Sequence, residues 1–267
     1  MSRWIFSRTS ASTGTGSLRG AGFIASYSSA GRKPPRPRAR LAPVRVLALE
    51  TSTLAGGVAL LDGDRVVGEY FLNVRVTHSE RLLPAVDRVL ADAGWRPGDL
   101  EGVAVAIGPG SFTGLRVGLA TAKGLAVALR VPVVGVPTLD AMAAALPFAA
   151  LPVCPVVDAR KGEVYCARYR WVGDAMRREW EYLALPPAEL ARRLDAPTIL
   201  LGDGAPLVQS PHAVLAPPPR RVPSPAAVGW LGHARLAAGE VVEPAALLPI
   251  YLRPSEAELK RRALAHH

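Results

Sequence analysis

The chain is poor in the residues that most often announce an active site. Its 267 residues include two cysteines, five histidines and only 6% aromatics. Cys154 and Cys166, placed on adjacent strands of a hairpin, leave a disulfide open, but without a secretory signal or further cysteines they are expected as free thiols in a reducing compartment. No two histidines stand at i, i+4 beside an acid, and His266 and His267 are terminal, so no metal site is expected. No Gly-Lys-Ser/Thr occurs, which excludes a Walker-type phosphate loop. No glycine-flanked serine elbow occurs either, and Ser111 has no evident histidine base. No run approaches the roughly 18 apolar residues of a membrane span, and the chain reads as soluble. Acids are absent before Glu50, whereas residues 1–49 hold nine basic side chains. Nine of the ten net positive charges therefore belong to this segment, since the remainder carries 23 basic and 22 acidic residues. A near-neutral body argues against strong direct binding of nucleic acid by the globule.

Residues 1–43 are rich in Ser, Gly and Arg and end in a Pro/Arg linker, a composition expected to be disordered. Three readings stay open for residues 1–42: a transit peptide, a basic arm, or an extension from an upstream start codon. The basic-arm reading makes tRNA affinity depend on those residues.

The chain is organised around Val103–Leu129, VAVAIGPGSFTGLRVGLATAKGLAVAL. An apolar β-branched run predicts a buried strand, Gly108, Pro109, Gly110 and Gly114 break it, and a helix follows with Ser111 or Thr113 as its cap. Backbone amides in such a turn can cradle an anion at the helix start. They can equally serve only to pack strand and helix closely. Along the helix Gly114, Gly118, Ala122 and Ala126 form a ridge of small residues. This ridge admits another helix, from the same chain or a partner.

Around this centre the expected elements are a strand at Val44–Glu50 ending in Glu50, Thr51 and Ser52, then a hairpin turning at Asp62–Asp64. Thr77 to Glu80 form a capping box for a helix whose apolar stripe is Leu82, Leu83, Val86, Val89 and Leu90, bent early by Pro84 and closed by Gly94. A strand at Val133–Val136 and a helix from Thr138 to Leu146 follow. VCPVVDARKGEVYCARYRW reads as two strands about a turn at Ala159–Gly162, with Asp158 echoing Glu50. This suggests an internal duplication. A helix at Pro187–Leu194, a strand at Thr198–Leu201, a proline-rich loop at 205–223 and a helix at Ala226–Ala238 complete the pattern. Glu50 and Asp158 at two such turns permit Mg-ATP chemistry, and an active small-molecule kinase or ATPase is the alternative function. The lack of glycine at the first turn and the extra methylene of Glu50 weigh against it. Asp158 has a simpler role as a strand-end acid paired with Arg160 or Lys161.

LALETST, THSERLLP, AIGPGSFTGLRVGLATAKGLA, VVGVPTLDAMA, VDARKGEVY and PIYLR together resemble the TsaB (YeaZ) family, over residues 44–253. The resemblance implies the actin-like ATPase (ribonuclease H-like) fold, an α/β architecture of two duplicated subdomains, 44–147 and 148–253, each a mixed sheet flanked by helices, with a tail at 254–267. It implies a noncatalytic paralogue of TsaD that works with the ATPase TsaE. The TsaD complex moves threonylcarbamoyl from threonylcarbamoyl-AMP, made by TsaC, to N6 of the adenosine beside the anticodon in tRNAs reading ANN codons. TsaD carries a histidine pair for metal where this chain has His78 alone. The implied interface with TsaD uses the helices at 79–93 and 113–129, through Leu82, Leu83, Val86, Leu90, Gly114, Gly118 and Ala122. On that basis a large residue at Gly118 breaks the complex and spares the monomer. A homodimer through the same helices is an alternative open to the chain without TsaD, and tRNA is reached through the complex. No cofactor is required by this chain. The turns at Glu50, Thr51, Ser52, Gly108, Gly110, Ser111, Thr113 and Asp158 leave room for an adenine nucleotide held weakly or at an interface. A bacterial cytoplasmic location is expected.

Overall fold

The computed structural model describes residues 44–73 and 78–253. The basic N-terminal segment, the C-terminal tail and the Thr77 capping box lie outside the described residues. The first sheet comprises β1 (Arg45–Glu50), β2 (Ala55–Asp62), β3 (Arg65–Asn73), β4 (Gly102–Ala106) and β5 (Val133–Val136). The first-half helices are α1 (His78–Ala93), α2 (Phe112–Leu129) and α3 (Thr138–Ala144). The second half contributes β6 (Val153–Arg160), β7 (Glu163–Cys166), β8 (Tyr169–Val172), β9 (Ala175–Arg178), β10 (Leu183–Leu185), α4 (Pro187–Arg193), β11 (Thr198–Leu201), β12 (Ala213–Leu215) and α5 (Pro225–Ala237).

The duplication suspected from two strand-end acids is visible in the topology. The first sheet runs β3-β2-β1-β4-β5 and the second β10-β7-β6-β11-β12. In both, the first strand pairs antiparallel with the second and parallel with the fourth. A β8–β9 hairpin hangs from β6 as an addition to the second copy.

Side-chain alternation along β1 decides what each face of the first sheet carries. Leu47 and Leu49 face α1 and α2, packing with Leu82, Val86, Leu90, Leu119 and Ala122. Val46 and Ala48 face α5, together with Ala59, Leu61, Ala104 and Val228. Helix α5 thus belongs to the second half by sequence but covers the first sheet. It can do so because Gly229 and Gly232 let it lie almost on the strands. A Cβ on Gly229 would stand 2.1 Å from Leu61 Cδ1, and one on Gly232 2.3 Å from Ala104 Cβ. Helix α3 makes the reverse exchange, sending Leu139 and Met142 against Val153, Val157 and Leu201 near the second sheet.

Helix α5 is held at its start by Ser224, which accepts a hydrogen bond from the Ala227 amide, and by Glu69 of edge strand β3. One Glu69 carboxylate oxygen accepts from Ser224 Oγ at 2.8 Å and from the Ala226 amide at 3.0 Å. A carboxylate at a helix N-terminus satisfies an orphan donor and favours the dipole. We expect Glu69→Ala to cost about 1–2 kcal/mol, read as a fall in the midpoint of urea unfolding without a change in its slope.

Several expected elements are revised. Helix α3 ends at Ala144, two residues early, and the segment read as loop at 205–223 contains strand β12. YRW belongs to a third strand, β8, and not to the hairpin of β6 and β7. Cys154 and Cys166 are buried free thiols, as expected.

Candidate functional site

The end of β1 meets the glycine loop after β4, and the two segments fit by shape. Glu50, Thr51 and Ser52 have no accessible surface. Thr51 Oγ1 donates to the Gly114 carbonyl in the first turn of α2 at 2.8 Å. The Ser111 amide donates to the Ser52 carbonyl at 2.6 Å. Glycine is required at the two closest approaches. A Cβ on Gly110 would lie 2.3 Å from the Ser52 carbonyl oxygen, and one on Gly118 2.2 Å from Thr51 Oγ1. Gly108 has φ +97°, in the left-handed region that favours glycine. Ser111, and not Thr113, caps α2, accepting from the Gly114 amide. The glycines thus serve close packing of a strand end against a helix, one of the two roles open from the sequence.

This settles where the expected anion-binding residues stand. Glu50, Thr51 and Ser52 do not form an open turn. They are sealed beneath α2. One Glu50 oxygen, Oε1, accepts both the Ser52 amide, at 2.6 Å, and the Ser52 hydroxyl. The other, Oε2, is buried without a hydrogen-bond partner among the described residues. Burial pushes the Glu50 carboxyl up to about 7, against the lowering effect of the Ser52 hydrogen bonds. Only Gly110, Ser111 and Thr113 of this cluster reach the surface.

The second copy repeats the arrangement, which sequence reading missed. After β11, Gly202 has φ +111°, and a Cβ there would stand 2.0 Å from the Val156 carbonyl oxygen. One on Gly204 would stand 3.0 Å from the Asp158 amide. The signal was available, since Gly-Asp-Gly after β11 has the spacing of Gly-Pro-Gly after β4. Asp158 plays the simpler role expected of it. It accepts from the Arg160 amide at 2.8 Å and pairs with the Arg160 guanidinium at 2.9 Å, while its own amide donates to Asp203.

The expected partner residues require a correction. Leu82, Val86, Leu90, Gly114, Gly118 and Ala122 all point into the chain's own core, because α1 and α2 must cover the first sheet. Within the chain the small-residue ridge meets the turn after β1 at Gly118 and packs with α1 and the first sheet at Ala122 and Ala126. Gly118 in particular lies against Thr51, so a large residue there strikes the chain's own core before it could meet a partner. What the two helices turn outward is a different set. On α1 it includes Leu83, 52% exposed, and on α2 Ala120, Gly124, Val127 and Ala128, with Val127 66% exposed. Helix α2 has a mean hydropathy of 1.3, yet only a third of it is buried. The late PIYLR segment ties the site down. The Ile250 amide donates to the Ile107 carbonyl at 2.7 Å, Tyr251 stacks on Phe112, and Arg253 pairs with Glu163 at 2.7 Å.

Comparison with known proteins agrees with this architecture. Residues 73–197 match the family model described as TsaD, tRNA N6-adenosine threonylcarbamoyltransferase. The chain is 33% identical over 226 residues to the tRNA threonylcarbamoyladenosine biosynthesis protein TsaB of Bacillus subtilis, covering 80% of this chain and 96% of that one. It is 41% identical over 129 residues to the TsaB of Escherichia coli, covering 48% of this chain and 55% of that one. The solved structure of YeaZ from Pseudomonas aeruginosa superposes with a TM-score of 0.68 at 33% identity, over 78% of this chain and all of that one. With its two sheets of like order and these relatives, the chain has the actin-like fold and belongs to the TsaB (YeaZ) family.

Proposed function

We propose that this chain is a noncatalytic subunit in the biosynthesis of threonylcarbamoyladenosine on tRNA, working in the cytoplasm as the partner of a TsaD transferase and, with it, of the ATPase TsaE. Membership of a family whose Bacillus and Escherichia proteins are named for that pathway carries the reading. The sealed turn at Glu50 supports a scaffolding role. Nucleotide chemistry in this fold uses acids at the strand ends, whereas Glu50 is buried, is engaged by Ser52 and is pushed towards its neutral form. Asp158 is likewise committed to Arg160.

The partner surface in this reading is the outer face of α1 and α2. An exposed ridge of Ala120, Gly124 and Ala128, flanked by Val127 and Leu83, lets two helices of a related protein approach closely. That face also serves for self-association when TsaD is missing. We expect Val127→Glu, at a position already in solvent, to leave the melting temperature nearly unchanged and to weaken TsaD binding about a hundredfold, the effect of a central interface residue. Co-purification and calorimetric titration measure both. Normal affinity of Val127→Glu and of Gly124→Arg would exclude this face.

The function is tested by threonylcarbamoyl transfer to tRNA with TsaC, TsaD and TsaE supplied, with and without this chain, alongside ATP hydrolysis by the chain alone. Modification that needs the chain, with no hydrolysis by it, is the expected result. Hydrolysis by the isolated chain without an effect on modification would favour a kinase or ATPase instead.

A further inference from the structure

None of the residues discussed as a site lines the cavity of about 570 Å³ that opens between α3, α5 and the β8–β9 hairpin. Its volume falls within the roughly 300–1,000 Å³ typical of small-molecule sites. Trp171, Tyr182 and Trp230 give it aromatic walls, and Asp140 and Arg235 give it a polar pair.

That pair is held in a definite state. Asp140 Oδ1 accepts the hydroxyls of Tyr169, at 2.7 Å, and of Tyr182, at 2.8 Å, which fills its two lone-pair positions. Oδ2 has Arg235 Nη2 only at 4.0 Å, beyond a hydrogen bond. Arg235 Nη1 is anchored on the Gly135 carbonyl. An acceptor, Oδ2, and a donor, Nη2, therefore stand side by side among the cavity residues, each with capacity left over. Burial and the Asp140 charge hold both tyrosine hydroxyls well above their ordinary range, so they remain protonated donors and Oδ1 remains occupied.

The charges around the cavity select a neutral guest. A cation would meet Arg178 and Arg235, an anion would meet Asp140, Asp174, Glu179 and Glu181, and Glu179 and Glu181 are already paired with arginines. The aromatic walls favour a flat ring, which stacks whatever its substituents. The free acceptor beside the free donor calls for an amino group next to a ring nitrogen, the pattern that adenine shows at N6 and N7. We infer that this cavity binds an aminopurine-type heterocycle, with Asp140 Oδ2 accepting from its amino group and Arg235 donating to the neighbouring ring nitrogen. This does not depend on the partnership proposed above.

The test is equilibrium dialysis of the full chain against labelled adenosine and inosine, which differ in that inosine presents a carbonyl where adenosine presents the amino group. The chain is expected to prefer adenosine by about tenfold or more, the discrimination of one buried hydrogen bond. Asp140→Asn keeps an oxygen for the two tyrosines and turns the free acceptor into a donor, so it reverses the preference. Trp230→Leu weakens both nucleosides alike and reverses nothing, which keeps the test decisive if Asp140→Asn fails to fold. A short oligoadenylate in place of adenosine distinguishes a base carried on a strand from a free nucleoside, and binding of either supports the assignment. Equal affinity for adenosine and inosine, no saturable binding of either by about 1 mM, or an unreversed order in folded Asp140→Asn would overturn it.

Discussion

Gly118→Leu is expected to abolish folding of the chain itself. The new Cβ would begin 2.2 Å from Thr51 Oγ1, a contact relieved only by swinging the Thr51 side chain away or by shifting α2 against β1. Either movement breaks the hydrogen bond from Thr51 to the Gly114 carbonyl and leaves a hydroxyl with no accessible surface unpaired, at about 1–3 kcal/mol. It also disturbs Leu115, Leu119 and Ala122, through which α2 covers the first sheet, adding an overpacking cost of about 1–3 kcal/mol before the rest of the leucine is placed. The two costs sum to about 2–6 kcal/mol before the rest of the leucine is accommodated, which reaches the lower end of domain stabilities. Soluble expression should fall to a small fraction of wild type. Even Gly118→Ala should destabilise, despite the gain of up to about 1 kcal/mol from replacing a helical glycine. Gly124→Ala gives the opposite sign, because a Cβ there meets nothing within 4 Å. Thr51→Ala should largely rescue Gly118→Ala by removing the atom it strikes. Urea unfolding of the four single and double variants checks this. A normally folded Gly118→Leu that fails only to bind TsaD would restore the ridge as the partner surface.

Glu50→Gln is expected to stabilise the protein at alkaline pH. The folded carboxyl is held near 7, against an ordinary value of 4.5, because burial disfavours its charged form. Its contribution is therefore fully present below pH 4.5. It is lost as pH rises from 4.5 through 7 and is flat above that. The difference amounts to about 3 kcal/mol. Glutamine keeps an oxygen for Ser52 and carries no charge, so variant and wild type should converge below about pH 4.5 and separate by up to about 3 kcal/mol at pH 8. For a body of this size that is about 5–10 °C in melting temperature. Thermal unfolding at three pH values decides the matter. An equal loss of stability at every pH would mean that the charged carboxylate has a compensating partner.

Sequence patterns disclosed the local part of this fold and little of the non-local part. The apolar runs of β1, β4 and β6, the Asp62–Gly63 turn and the Gly94 stop were legible because period, β-branching and glycine report on a residue's own backbone. The β8–β10 region was not, since its alternation is broken by Arg168, Arg170 and Arg178, which lie over Trp180 and Tyr182 or pair with Glu179 and Glu181. The role of small residues was readable, but not their direction. A row of Gly and Ala on α2 is compatible with either face turning inward, and what decided it was Thr51, 67 residues before Gly118. The same limit hid the burial of Glu50, for a strand-end acid looks alike whether a helix covers it or water does.

The exchange of α3 and α5 between the sheets also sets an order of events during synthesis. The five strands of the first sheet are complete once Val136 has been made, yet the helix that covers Val46, Ala48, Leu61 and Ala104 ends at Ala237. About a hundred further residues must leave the ribosome before that apolar face is shielded, a delay of roughly 5–20 s at ordinary elongation rates. Through that interval the nascent chain is a natural client for chaperones. A stop codon just after residue 147 would release a sheet with one bare side, a fragment whose expected fate is aggregation.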